Sequence, residues 1–391
     1  MRKNRVFWIV LDSFGIGEAP DAADFGDQGS NTLGSVRKSP FFSVPILERL
    51  GLFSIDGVSP ESHHLQPHAA VFRAAEASKG KDTTVGHWEL AGLVSGQPLP
   101  TFPQGFPSQW VEQFSSVVGK PILCNLPYSG TQVIADYGKQ QQETGGLILY
   151  TSADSVCQIA AHEQVVPIEE LYQICETARK MLTGPLGVGR VIARPFVGEE
   201  GHYVRTSNRR DFSLLPPGPT LLDAISNAEK EVLVIGKIYD IFAGQGVTRW
   251  VHTSGNQEGM EAVTRALSQF SSGLCFANLV DFDMLYGHRN DRDGYAKALS
   301  LFDDWLRDFL PELLPTDLLV ICADHGCDPD TPSTDHSREY IPAIFYGEDI
   351  LPGSYGTRDT FADVGKTIAD VLGIPNALAG NSLASFIFQE G

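Results

Sequence analysis

The stretch LLVICADHGCDPD, residues 318–330, decides the fold class of this chain. It opens with a continuous apolar run, as in a strand that is buried on both faces, and changes abruptly at Asp324 and His325. Other short apolar runs also lead to a polar residue: VFWIVL before Asp12, LILY before Asp154, EVLVIG before Lys237 and LCFANLV before Asp281. The sequence therefore predicts a set of buried strands whose ends carry polar side chains.

The segments between these runs have helical patterns. In PIEELYQICETARKML, residues 167–182, proline and two glutamates suit the first turn, and apolar residues then recur at helical spacing. Near the C-terminus, Thr360 and Asp363 resemble a capping box before a second apolar stripe. Alternating strands and helices predict an α/β fold with a mainly parallel sheet, in which ligands bind beyond the carboxyl ends of the strands.

The strand-end residues come from both ends of the sequence, so a single domain must use both ends. Two stretches rich in glycine and proline, residues 92–110 and 214–222, are plausible crossing points. We expect a catalytic core formed by residues 1–96 and 216–391, with residues 97–215 inserted as a cap.

Composition limits the classes of partner. The 391 residues include 48 acidic and 29 basic side chains, for a net charge of −19, which argues against nucleic acid and anionic membranes. An anionic substrate would need positive charge supplied locally. The six cysteines form no C-x-x-C pair and the N-terminal apolar run ends at Asp12, so we expect a cytoplasmic protein.

The residues with metal-binding chemistry cluster near the C-terminus. VDFDMLYGHRND supplies Asp283 and His288, ADHGCDPD supplies Asp324 and His325, and TDHSRE supplies His336. Together with Asp12 they form a mixed set of carboxylates and imidazoles, which suits Zn²⁺, Mn²⁺ or Fe²⁺ better than Ca²⁺ or Mg²⁺. The set exceeds the needs of one tetrahedral ion and predicts two ions about 4 Å apart, as in phosphoryl transfer. Asp281 remains an alternative to Asp283, and Cys327 is either a plain loop residue or a thiol that is oxidised or binds metal.

A nucleophile is also present. SKGKDTTVGHWELAG, residues 78–92, contains Thr83 and Thr84 in a loop flanked by glycine. Metal coordination can activate a threonine hydroxyl as a nucleophile, although a threonine in such a place can also simply cap a helix.

These segments resemble a known family along nearly the whole chain. The matching stretches are VLDSFGIGEAPDA, GKDTTVGHWELAG, YTSADSVCQIAAHE, GRVIARPFVGE, IGKIYDIF, NLVDFDMLYGHR, ADHGCDP and TDHSREYIP. The chain resembles the prokaryotic, metal-dependent phosphopentomutases of the alkaline phosphatase superfamily. The resemblance implies an alkaline-phosphatase-like α/β core with an inserted α/β cap domain that recognises the substrate.

The resemblance also implies roles for the core residues. One ion, usually Mn²⁺, would be held by Asp12, Asp324 and His325, and the other by Asp283, His288 and His336. Thr83 would be the nucleophile. The chain has Val85 where the family commonly has a hydroxyl or small residue, which can alter hydrogen bonding in the loop.

In the cap, the resemblance assigns Asp154 to the ribose hydroxyls and Arg190 and Arg205 to the phosphate, while Lys237 would sit close to the transfer site. His87 and Glu89 either touch substrate or are structural. The implied reaction interconverts ribose 1-phosphate and ribose 5-phosphate, and the 2-deoxyribose pair, through phosphothreonine and a 1,5-bisphosphate. A glucose 1,6-bisphosphate-type activator would prime the enzyme, and no protein partner is implied.

Three alternatives stay open from the sequence. A cofactor-independent phosphoglycerate mutase shares the core but has a serine nucleophile and a larger cap. A phosphatase or phosphodiesterase would use the same metals on an open site. A non-catalytic metal- or phosphate-binding protein would not need a hydroxyl beside the metals, so the GKDTT loop argues against it.

Overall fold

The computed structural model describes residues 3–58, 66–152 and 154–388. The chain divides into two compact units, the first formed by Met1–Pro98 with Pro216–Gly391 and the second by Leu99–Leu215. Each unit contains its own sheet with helices packed against it.

The strands are numbered along the whole chain. They are β1 (Arg5–Leu11), β2 (Ala70–Ala74), β3 (Ile122–Pro127), β4 (Leu147–Thr151), β5 (Val156–His162), β6 (Arg190–Val197), β7 (Val204–Arg205), β8 (Arg210–Ser213), β9 (Glu231–Ile235), β10 (Arg249–Val251), β11 (Gly273–Leu279), β12 (Asp317–Cys322), β13 (Ile341–Tyr346) and β14 (Gly353–Arg358).

The α-helices are numbered in the same way. They are α1 (Thr32–Val36), α2 (Pro45–Leu50), α3 (Thr83–Leu90), α4 (Ser108–Val118), α5 (Gly130–Thr144), α6 (Ile168–Met181), α7 (Leu221–Asn227), α8 (Ile238–Ile241), α9 (Asn256–Gln269), α10 (Arg292–Phe309), α11 (Ala362–Val371) and α12 (Ala384–Ile387). No helix among the described residues combines the length and the apolar character needed to cross a bilayer.

The first unit is built on an eight-stranded sheet with the order β10-β9-β11-β1-β12-β13-β2-β14. Its centre is parallel: β1 lies between β11 and β12, with Leu11 level with Leu279 and Val10 level with Cys322. Every residue of these three strands is buried, as their apolar runs predict. The predicted α/β fold with a mainly parallel sheet is confirmed, with β13 as an antiparallel exception between β12 and β2.

The second unit has a smaller sheet with the order β3-β4-β5-β6-β7, and β8 also pairs with β6. The predicted helix over residues 167–182 is present as α6, and its buried stripe packs with α4 on one face of this sheet. Helix α5 covers part of the other face through Val133 and Ile134.

The start of α11 differs from the predicted capping box. The Thr360 hydroxyl donates to Glu89 at 2.7 Å and accepts from the amide of Ala362 at 3.1 Å. The carboxylate of Asp363 is used elsewhere, by Arg358 at 2.6 Å and by the amide of Asn381 at 2.6 Å. Thr360 therefore links the start of α11 to Glu89 of α3 instead of forming a capping box with Asp363.

Candidate active site and metal centre

The strand order brings the predicted ligands to one edge of the first sheet. Asp12 directly follows β1, and Asp324 and His325 follow β12. Asp283 lies in a short helical turn after β11, the neighbour of β1 on the other side. Since β13 runs antiparallel to β12, His336 in the loop before β13 lies at the same edge.

The first cluster consists of Asp12, Asp324 and His325. Nε2 of His325 is 3.4 Å from Oδ1 of Asp12 and 3.2 Å from Oδ2 of Asp324, and all three side chains are buried. Their possible ligand atoms lie within 4.8 Å of one another, close enough to share one cation.

The second cluster is centred on Asp283. Its Oδ2 lies 3.1 Å from Nε2 of His288, and its Oδ1 lies 3.4 Å from Nε2 of His336. The rings of His325 and His336 stack at 3.9 Å, so this cluster adjoins the first. Cys327 adds a thiol that lies within 4.8 Å of the ligand atoms of Asp283 and His288.

Several buried atoms of these clusters make no hydrogen bond of acceptable geometry within the described part of the chain, although imidazole nitrogens lie 3.1–3.4 Å from the oxygens among them. They are Oδ1 of Asp12, Oδ1 of Asp283, Oδ2 of Asp324 and Nε2 of His336. Buried polar groups in folded proteins are nearly always satisfied, so a convergent group of unsatisfied oxygens and an imidazole nitrogen is best explained by bound cations. The donor set fits a divalent ion of intermediate softness.

Two acidic groups of the site, Asp283 and Asp324, are held in their charged form by a lowered pKa. Burial would raise the pKa of Asp283, but His336 and His288 beside it keep that pKa well below its usual range. Burial likewise opposes charge on Asp324, and His325 and His87 nevertheless lower its pKa. The hydrogen bond to Asp283 raises the pKa of His288 to about 11.

Thr83 is the first residue of α3, and its hydroxyl reaches the first cluster. Oγ1 of Thr83 lies 3.1 Å from Nε2 of His325, and the residue is 7 % exposed. The side chain of Asp82 caps the helix by accepting from the amides of Thr84 and Val85 at 3.0 and 3.1 Å. Thr84 thus takes part in the cap through its backbone, and Thr83 presents the hydroxyl to the cluster.

His87 and Glu89, the two residues that sequence left undecided, are both buried and bonded within the protein. Nδ1 of His87 is 2.9 Å from the carbonyl oxygen of Thr83 and 3.1 Å from Oδ2 of Asp324. Glu89 accepts from the amides of Ala77 and Ser78 at 2.8 and 2.6 Å. Through these contacts His87 holds Thr83 and Asp324, and Glu89 holds the loop that leads to Thr83.

In the second unit, the predicted substrate residues occupy two ends of β6. Asp154 is exposed in the turn before β5, and the register of Val156 with Arg190 places that turn near the start of β6. Arg190 lies 3.6 Å from Asp211, whereas Arg205 is exposed on β7 opposite Phe196, at the far end of β6. The structure therefore brings Asp154 and Arg190 to one end of the strand and separates Arg205 from them along it.

Lys237 belongs to the first unit. It lies two residues after the end of β9 and is half-buried at the start of the short helix α8.

Comparison with known proteins identifies the family of the chain. The model of the Metalloenzyme superfamily matches residues 4–376. A phosphopentomutase of Lachnoclostridium phytofermentans is 58% identical over 97% of both chains. One of Acetivibrio thermocellus is 53% identical over 98% of this chain and 99% of its own. The chain belongs to the phosphopentomutase family.

Membership of the phosphopentomutase family makes the chain an isomerase, and the superfamily and the ligand clusters indicate use of divalent metal. Among solved structures, phosphoglycerate mutase from Leishmania mexicana is similar over 97% of both chains, with 11% identity and a TM-score of 0.48.

A close approach between α3 and the residues that follow β12 provides the first prediction. A methyl group at Gly86 would lie 2.2 Å from the carbonyl oxygen of Asp324. We expect Gly86→Ala to lower the free energy of unfolding by about 2–3 kcal/mol, as overpacking against backbone does, and to lower kcat by displacing Asp324. Urea unfolding checks this against Gly96→Ala, because a methyl group there meets nothing within 4 Å. Equal stability of the two variants would contradict it.

The second prediction concerns protons at the metal site. The pKa of His288 is raised from 6.5 to about 11, so its pairing with Asp283 stabilises the metal-free protein fully below pH 6.5 and is lost as the pH rises through 11. As a metal ligand His288 would have to be neutral imidazole, so binding of a divalent metal ion at pH 7 should release protons, and affinity should rise by up to about tenfold per pH unit for each proton. Calorimetry in two buffers of different ionisation enthalpy measures the release, and identical heats in both would contradict it.

Proposed function

We propose that this chain interconverts ribose 1-phosphate and ribose 5-phosphate, and likewise the 2-deoxyribose pair, through phosphothreonine at Thr83 and a 1,5-bisphosphate. The observation that carries the proposal is the Thr83 hydroxyl, 3.1 Å from Nε2 of His325 beside two adjoining ligand clusters. A binding protein has no need of such a hydroxyl, and the family relatives bear the name phosphopentomutase.

Two Mn²⁺ ions are proposed as cofactors, with other divalent ions as substitutes. Asp12, Asp324 and His325 would hold one ion, and Asp283, His288 and His336 the other. The unsatisfied buried atoms of these side chains support the assignment. Bound metal would lower the pKa of the nucleophile and neutralise charge on the phosphoryl group.

Thr83 is suited to carry the phosphoryl group because it begins α3. The dipole at a helix N-terminus favours a negative group there. In the proposed cycle, the bond from phosphorus to Thr83 breaks as a bond to the free sugar hydroxyl forms. The bisphosphate then turns, or leaves and rebinds, and Thr83 takes back the other phosphoryl group.

We assign substrate recognition to residues 97–215 and to Lys237. Asp154 would bind ribose hydroxyls, and Arg190 and Arg205 the phosphate. The surroundings of Arg205 support this, because its guanidinium and the Tyr150 hydroxyl both lie close to Gly130 at the start of α5. A methyl group on Gly130 would be 3.0 Å from Nη1 of Arg205 and 2.9 Å from the Tyr150 hydroxyl. A guanidinium, a phenol and a helix N-terminus at one place favour a phosphate.

The proposal includes an activator and a location. A bisphosphate sugar such as glucose 1,6-bisphosphate would restore phosphate to Thr83 when it is lost. The cytoplasm is proposed because all six cysteines are free thiols, as expected in a reducing compartment.

The experiment that tests the function is ³¹P NMR with Mn²⁺. Ribose 5-phosphate and ribose 1-phosphate are supplied separately with a trace of glucose 1,6-bisphosphate, and the positions of phosphate are followed. We expect each monophosphate to yield the other. Release of inorganic phosphate without the second isomer would show a phosphatase and defeat the proposal.

A further inference from the structure

Arg338 is a buried cation that the proposed chemistry does not use. It lies two residues after His336, at the edge of the metal site, and is only 1 % exposed. Its guanidinium donates to both carboxylate oxygens of Asp21, at 3.1 and 3.0 Å, and to the carboxylate of Glu76. It also lies 4.7 Å from the centre of the Phe25 ring.

The same guanidinium binds the backbone of the loop that leads to Thr83. It donates to the carbonyl oxygens of Glu76 at 2.6 Å and Ser78 at 2.9 Å, and to that of Gly80. Residues 75–82 form neither helix nor strand, so these carbonyls have no ladder of their own. One planar group with five donors satisfies them together with the carboxylates of Asp21 and Glu76, whereas an ammonium group has only three donors.

The amides of this loop are satisfied from a second buried charge. Those of Ala77 and Ser78 donate to Glu89, and that of Lys79 donates to the carbonyl of Ser95 at 3.0 Å. The loop is thus held between Glu89, which accepts from its N–H groups, and Arg338, which donates to its carbonyl oxygens.

Further bonds join this loop to the segment that carries His336. Nδ1 of His336 is 3.0 Å from the carbonyl oxygen of Lys81, two residues before Thr83. The backbone amide of Arg338 donates to Asp27 at 2.9 Å, and Asp27 also accepts from the Lys81 ammonium at 3.0 Å. The position of the nucleophile is therefore tied to the position of a metal ligand.

We propose that Arg338 is a positioning residue that fixes Thr83 relative to the metal ligands. Burying a cation with two carboxylates contributes little net stability, and often less than an apolar replacement would. The fixed geometry that Arg338 gives to three loop carbonyls is what an apolar residue could not supply. For its effect on turnover the inference rests on the proposed function, whereas its effect on the loop does not.

The test compares Arg338→Lys with Arg5→Lys. Arg5 is a matched control: it is buried, forms a bidentate pair with Asp317 and donates to the carbonyls of Leu267 and Phe270. It lies at the start of β1, the strand whose other end carries Asp12. We expect both variants to lower the melting temperature.

Only Arg338→Lys is expected to lower kcat, by roughly a hundredfold, because a displacement of about 1 Å at a reacting group costs that much. Its KM for ribose 5-phosphate should stay within about threefold, since binding of the sugar is untouched. Unchanged kcat in Arg338→Lys, or equal falls of kcat in both variants, would overturn the proposal.

Amide hydrogen exchange gives a readout that needs no turnover. In Arg338→Lys the amides of Ala77, Ser78 and Lys79 should exchange faster, while those of β1 stay as in the unaltered enzyme. Unchanged exchange in the loop would overturn the role of Arg338, and absence of mutase activity in the unaltered enzyme would instead overturn the proposed function. If Arg338→Lys does not fold, the same measurements are made with Glu76→Gln added, which removes the carboxylate left without its partner.

Discussion

Thr83→Ala is expected to lower kcat for ribose 5-phosphate isomerisation by at least about 10³-fold, because it removes the atom that would carry the phosphoryl group. The fold should survive. Asp82 caps α3 through the amides of Thr84 and Val85, and His87 bonds the carbonyl of Thr83, so none of these contacts needs the Thr83 hydroxyl. A coupled assay for ribose 1-phosphate, with circular dichroism as the check on folding, measures the effect.

Thr84→Ala is the matched control. It removes the same atoms one residue further on, and the backbone amide that caps the helix stays in place. We expect kcat within about twofold of the unaltered enzyme, as for a side chain that the reaction does not use. If Thr84→Ala were inactive and Thr83→Ala active, the nucleophile would have to be reassigned.

Asp283→Asn is the second change with a large expected effect. Asp283 is the carboxylate that lies between His288 and His336, at 3.1 and 3.4 Å, so its loss should empty one metal site. Even groups that only support a metal ligand cost roughly 10–100-fold when removed, so we expect a fall in kcat beyond about 100-fold. Metal analysis after Mn²⁺ loading and gel filtration should show one ion fewer per chain.

Asp281→Asn is the control within the same VDFD segment. Asp281 is bound to the first residue of α9: it accepts from the amide of Asn256 at 2.7 Å and donates its own amide to the Asn256 side chain at 2.9 Å. It belongs to none of the candidate metal clusters among the described residues. Unchanged metal content in Asp283→Asn, with loss of an ion in Asp281→Asn, would contradict the assignment.

The central strands could be predicted from local pattern, and so could the positions of the proposed ligands just after those strands. The apolar runs before Asp12, Asp281 and Asp324 are β1, β11 and β12, and their parallel register places the following residues at one edge. Asp283 and His288 follow β11 within a few residues, so strand order alone brings them to that edge. The antiparallel direction of β13 could not be predicted from the pattern, because the residues of a strand do not determine which strand it pairs with.

Arg338 and Glu89 show why the support of the site was not predictable. A charged side chain is normally exposed, and its burial here depends on loop carbonyls and amides that are far away in sequence. The same limit applies to Thr360, whose hydroxyl serves Glu89 rather than Asp363. The sequence indicated a role for Arg338 only through its position two residues after His336 in TDHSRE.

The cap residues show a different limit. The family resemblance assigns the phosphate to Arg190 and Arg205 together, and the sequence does not show how far apart the two residues lie in the folded protein. Register places Arg190 opposite Val156 and Arg205 opposite Phe196, near the two ends of β6. The backbones of the two arginines therefore lie near opposite ends of β6, and the sequence alone did not indicate this separation.

Phosphopeptide mass spectrometry of the resting enzyme tests the covalent role of Thr83 most directly. The purified protein is incubated with Mn²⁺ and glucose 1,6-bisphosphate, digested under acidic conditions and sequenced across residues 78–92. We expect one phosphate on Thr83, absent from the Thr83→Ala variant and retained in Thr84→Ala. A peptide without phosphate in the active enzyme, or phosphate on Thr84 alone, would contradict a covalent mechanism at Thr83.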